Sequence, residues 1–169
     1  LKNLAEEDYK QFNERLLPGV KNVIGVRLPA LRKIAKKVAR DHGIQYLDEA
    51  YALFGEDSYH EEFLVWGLVI AYMKAAKEEQ KKRLDEFVPK ISNWAVCDSC
   101  TMSYKFMEQE PQFWFEYLKK YKESRNEFEL RFMIDFEAKV PNYNWYIDLP
   151  GQIEISSEPG AAILLKSQF

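Results

Sequence analysis

The segment Ser92-Asn-Trp-Ala-Val-Cys-Asp98 holds the residues with the most chemical potential in this chain. Trp94 and Asp98 are four positions apart, so on a helix they share one face. An indole beside a carboxylate can hold a cationic or electron-poor group. The ring attracts positive charge through its π face, and the carboxylate attracts it directly. The structural alternative is a half-buried Trp next to an Asp engaged in a local ion pair, and spacing alone favours it.

Two other motifs read as structural. Cys97-Asp-Ser-Cys100 is a C-x-x-C, but it falls inside a helical pattern and not at the strand-to-helix junction that redox chemistry uses. Only His42 and His60 are available as further zinc ligands, so two cysteines buried on a helix is the better reading and no metal is expected. His60-Glu61-Glu62 sits in a first helical turn. There acids favour the helix dipole, and Glu61 is expected to complete a capping box opened by Ser58. A second box is expected from Ser124 to Glu127. No serine or cysteine nucleophile has a histidine partner, and no Gly-rich phosphate loop is present. No cofactor is expected.

The elements that carry these residues are helical. Leu31, Ile34, Ala35 and Val38 form an i, i+3, i+4, i+7 stripe behind Pro29, and His42-Gly43 is expected to end that helix. Tyr9, Phe12 and Leu16 mark an earlier helix. Tyr46 to Phe54 reads as a short one stopped by Gly55. The run from Phe63 to Met73 is apolar almost all round, as in a helix buried on several sides. Helices follow near Leu84 to Val88, from about Ser92 to Met107, from Pro111, and through Phe128, Phe132 and Phe136. Pairs recur roughly every 30 to 35 residues, the rhythm of helical-repeat solenoids. The fold class is therefore all-α: HEAT-like antiparallel helix pairs stacked as a curved solenoid, with a helix bundle as the alternative. Residues 1–138 form the helical-repeat domain. Residues 139–169, rich in Pro-Gly turns and with a short alternating run at Gln152 to Ser156, are expected to be irregular.

Composition bounds the setting. The net charge is −3 and 15% of residues are aromatic. The longest apolar run, Phe63 to Tyr72, is shorter than the roughly 18 residues that a membrane helix needs. With two cysteines and no export signal at the start, a reducing, cytoplasmic setting is expected. An acidic total argues weakly against nucleic acid, but clustering matters more than the sum. Basic residues gather at Arg27, Arg32, Lys33, Lys36, Lys37 and Arg40, again at Lys81, Lys82 and Arg83, and at Lys119, Lys120 and Lys122.

Three segments together resemble the DNA alkylation repair proteins of the AlkD-like group, HEAT-like-repeat DNA glycosylases. Ile24-Gly-Val-Arg-Leu-Pro-Ala-Leu-Arg32 looks like the family's Gly-x-x-x-Pro-x-x-Arg stretch. Ser92-x-Trp94-x-x-x-Asp98 is similar to the motif that supplies its Trp and Asp. Asn126-x-Phe128-x-x-Arg131 resembles its Asn-x-Trp-x-x-Arg helix. The resemblance covers about residues 9 to 138. It implies a concave basic groove that tracks duplex DNA and release of cationic N3- or N7-alkylated purines without base flipping. Trp94 would pack against the lesion-bearing sugar and backbone. Asp98 would stabilise positive charge at the sugar and help position a water, and Arg131 would hold a phosphate or brace the site. Arg27, Arg32, Lys33, Lys36 and Lys37 would face DNA. The partner implied is duplex DNA containing alkylated bases, gripped by a monomer that needs neither metal nor membrane. Two features depart from the family pattern: the small residues Ala95, Val96 and Cys97 between Trp94 and Asp98, and the lack of amphipathic helices after residue 138. A non-catalytic nucleic-acid-binding or protein-binding scaffold is the alternative function, because fold alone does not choose among these.

Overall fold

The computed structural model describes residues 1–139. They form α1 (Glu7–Leu16), α2 (Leu28–Leu53), α3 (His60–Tyr72), α4 (Lys77–Phe87), α5 (Trp94–Thr101), α6 (Phe106–Gln109), α7 (Pro111–Leu118) and α8 (Glu127–Glu137). Short 3-10 turns extend α4 over Val88–Lys90 and α7 over Lys119–Tyr121. No strand occurs among the described residues. The irregular segment and the alternating run expected near the C-terminus lie outside them.

The described residues form an all-α stack, an alpha-alpha superhelix. α3, α5 and α8 lie side by side in that order, and α2 and α4 both cover α3. These three neighbours begin at residues 60, 94 and 127, at intervals that fall within the 30 to 35 residues read from the sequence.

α3 is the centre of the core. Leu64, Val65, Trp66, Leu68, Val69 and Ile70 are all buried, because α2, α4 and α5 each take one side of it. Gly67 makes the closest of these approaches possible. A Cβ there would lie 2.3 Å from Cys100 Sγ and 2.6 Å from Phe87 Cζ. The C-x-x-C pair divides between two neighbours. The Cys100 thiol faces the Leu64 carbonyl of α3 at 3.9 Å, and the Cys97 thiol faces the Phe128 carbonyl of α8 at 3.7 Å. Both cysteines are free and buried, as the structural reading expected.

α2 is two helical stretches joined at a kink: His42 has the non-helical φ −145° and ψ 17°, so the first stretch stops at the expected His42-Gly43 signal and a second runs on to Leu53. Leu31 and Ala35 before the kink and Leu47 and Ala50 after it are all buried.

The opening of α3 is not the expected Ser58–Glu61 box. Its N-cap is Tyr59, whose N–H donates to Glu62 Oε2 at 2.8 Å. Glu61 is fully buried and accepts from the backbone N–H groups of Ile24 (2.9 Å), Gly25 (2.7 Å) and Val26 (3.2 Å). It ties the segment before α2 onto α3. Gly25 sits at φ +92°, where a Cβ would meet Glu6 O and Lys10 Cβ at 2.7 Å.

α5 is shorter than the expected Ser92 to Met107. The Thr101 and Ser103 hydroxyls donate back to the carbonyls of Cys97 and Ser99, each at 2.8 Å. Such bonds compete with the helix ladder. The chain breaks there, and Tyr104 turns into the core beside Phe106 and Phe132. α8 is capped by Asn126, whose Oδ1 accepts from Phe128 N–H at 2.9 Å. Ser124 bonds Glu129 and not Glu127.

Two readings of surface character also change. Arg83, counted with the basic residues, is buried and held by Asp48 (2.7 Å), Glu79 (2.7 Å) and Glu86 (3.1 Å), fastening α4 to α2. The α1 stripe is not a core face, since Phe12 and Leu16 are exposed while Asn13 is buried.

Candidate active site

Asn93 fixes where α5 starts: its Oδ1 accepts from Val96 N–H at 3.0 Å. That cap places Trp94 at the first helical position and Asp98 one turn later. Trp94 is 39% exposed, unlike Trp66 and Trp114, which are buried in the core. Across the α5–α8 contact, Arg131 grips Asp98 with a planar fork. Its Nε donates to Oδ1 at 2.5 Å and its Nη2 to Oδ2 at 2.7 Å. The side chains of Arg131 and Asp98 are 43% and 33% exposed. The structure thus brings Asp98 and Arg131 into direct contact, with the exposed indole one turn away. The carboxylate raises the Arg131 pKa above its already high value. A carboxylate offers about four lone-pair sites, and the fork uses two, so Asp98 keeps acceptor capacity toward solvent.

Asp135, a turn after Arg131, completes the arrangement and was not singled out in the sequence. Burial and then the neighbouring charge of Asp98 push its carboxyl up to about 7. The Cys97 thiol faces its Oδ2 at 3.8 Å. The only signal for Asp135 in the sequence is its i+4 spacing from Arg131. The ligand atoms of Cys97, Asp98 and Asp135 lie within 4.8 Å of one another. Burial and then the charge of Asp135 push the Cys97 thiol up, and both Asp98 oxygens accept from Arg131.

The basic residues of the N-terminal half of α2 have different surroundings. Lys33 and Lys37 are exposed. Lys36 Nζ lies 5.1 Å from the centroid of the Tyr72 ring. Arg32 is half-buried, and its charge reaches the Cys100 thiol of α5. Arg27 is engaged elsewhere: its Nε donates to both Glu6 oxygens at 3.0 and 2.9 Å, and its guanidinium lies over Tyr9 at 4.8 Å.

The family model for the DNA alkylation repair enzyme matches residues 1–142. The chain belongs to the DNA alkylation repair enzyme family. Membership ties it to DNA repair with DNA as its substrate, and the matched range contains every helix and every site residue described above. No curated protein and no solved structure matches the chain. In this family member the Gly25–Pro29–Arg32 stretch has a structural explanation for two of its three residues. Gly25 supplies the left-handed turn under Glu61, and Pro29 sits in the first turn of α2. No described helix is long and apolar enough to cross a membrane.

Proposed function

We propose that this repair protein is a DNA glycosylase that removes cationic N3- or N7-alkylated purines from duplex DNA, gripped in a HEAT-like groove. The observation that carries the reading is the solvent-accessible Asp98–Arg131 fork one helical turn from an exposed tryptophan. The purine leaves with the electrons of its bond to the sugar and thereby becomes neutral. The sugar is left oxocarbenium-like, and water adds to it and gives up a proton. A carboxylate about 4 Å from that charge contributes roughly 4 kcal/mol at an effective dielectric near 20. That corresponds to a rate factor on the order of a thousand. A bond already weakened by the positive charge of the base needs little more, so no nucleophile is required.

In this reading Asp98 faces the sugar and Trp94 packs on the lesion-bearing backbone. Arg131 holds the carboxylate in one orientation, at the expense of part of its field. Purified protein is expected to release N7-methylguanine or N3-methyladenine from methylated duplex DNA, measured by chromatography of the freed base. Asp98→Asn keeps the shape but removes the charge, and release should fall by about two to three orders of magnitude. Equal release by the variant would rule the mechanism out. The second reading, binding without chemistry, draws on the same fork: a carboxylate neutralised by arginine is a weaker electrostatic catalyst. It predicts salt-dependent DNA binding with no freed base.

A further inference from the structure

We propose that Asp135 is a positioning acid for Asp98, holding a proton between the two carboxyls and so keeping Asp98 in the fork of Arg131. This rests on the reading of Asp98 as the catalytic carboxylate. The geometry is a three-residue cluster in which Asp98 has a different neighbour on each side. Arg131 takes both Asp98 oxygens from solvent-exposed ground. Asp135 lies one turn further along α8, half-buried, with one carboxyl oxygen within 4.8 Å of an Asp98 oxygen and of the Cys97 sulfur.

Two carboxylates this close in a partly dry site do not both ionise, and the less solvated one keeps the proton. Here that is Asp135. As a neutral acid its O–H donates to Asp98, while its other oxygen accepts from the Cys97 thiol at 3.8 Å. The groups that act on it are the charge of Asp98 and the hydrogen bond of the Cys97 thiol, both from α5, and the charge of Arg131 on its own helix. α8 also packs on the turns Val88–Lys90 and Lys119–Tyr121. There Lys90 is exposed, Lys119 and Lys120 pair with Glu116 and Asp85, and Tyr121 bonds Tyr117.

Losing the proton would place a second negative charge beside Arg131, in competition with Asp98, and remove the donor that steadies it. Base release should therefore decline as pH rises through neutrality.

The test compares the full chain with Asp135→Asn and Asp135→Ala from about pH 4 to about pH 9. One measurement is the carboxyl-carbon NMR titration of the free proteins. The other is the rate of N7-methylguanine release from methylated duplex DNA. In the wild type one Asp carboxyl should titrate near neutrality, and release should fall several-fold across the same interval. Asp135→Asn, whose amide is a permanent donor, should lose that titration and show a flat profile. Asp135→Ala should lose roughly tenfold at every pH, because Asp98 is no longer held. A wild type without a near-neutral Asp titration, or a wild-type profile in Asp135→Asn, overturns the inference. If no protein releases base, the glycosylase reading fails, and the NMR titration alone decides whether the carboxyls share a proton.

Discussion

Arg131 sets both oxygens of Asp98 with one planar group, and a lysine ammonium has no equivalent of that geometry. Arg131→Lys keeps the charge and loses the fork. The pair is exposed by a third or more on each side, so its contribution to stability is small, less than about 1 kcal/mol. Orientation is the larger effect. The variant should melt within a few degrees of the wild type while base release falls by about tenfold to a hundredfold. Parallel thermal melts and release rates check this, and a large loss of stability with unchanged chemistry would contradict it. At this scale the sequence was informative about part of the site. Four-residue spacing placed Trp94 and Asp98 on one face, and the resemblance pointed to Arg131. Asp135 escaped because an Asp four residues from an Arg reads as an ordinary surface pair on a helix. Its half-buried state comes from α5, more than thirty residues away, and no local pattern encodes that contact. Glu61 escaped for the same reason: its three partners lie 35 to 37 positions earlier.

Helix spacing decides whether α5 and α8 meet in register, and α3 sets α5. Gly67 is the point of closest approach, where an added Cβ would press on Cys100 Sγ at 2.3 Å and Phe87 Cζ at 2.6 Å. Both neighbours are fully buried and have no open space to move into. Gly67→Ala gains a little helix propensity, but overpacking outweighs that gain. A net loss of about 1–3 kcal/mol is expected, measurable as a lower midpoint in urea at unchanged slope. An unchanged midpoint would mean that α5 can shift without cost. The elements themselves were well marked in the sequence wherever a local device makes them. Pro29 and Pro111 stand in the first turns of α2 and α7, as their types require. His42-Gly43 does mark the break between the two stretches of α2, where His42 leaves helical geometry. The end of α5 was misjudged: it stops short of Met107, where the Thr101 and Ser103 hydroxyls turn back on the carbonyls one turn earlier.

A chain with net charge −3 binds DNA only if its cations are gathered where the phosphates run. The structure narrows the candidates. Arg83 is buried in a carboxylate cage and Arg27 is committed to Glu6, so neither offers a phosphate a free charge. Lys33 and Lys37 are exposed and one turn apart on α2, while Lys36 already lies over the Tyr72 ring. If α2 borders the groove, Lys33 and Lys37 neutralise two phosphates between them. Each neutralised phosphate adds about 0.9 to the slope of log affinity against log salt. The double change Lys33→Gln with Lys37→Gln should then lower that slope by roughly 1.8 and weaken binding most at low salt. Adding Arg32→Gln and Lys36→Gln should lower it further only if those two also reach phosphate. Fluorescence anisotropy on a short duplex at several salt concentrations measures the slope directly. An unaltered slope in the double variant would move the DNA path off the Lys33–Lys37 face of α2.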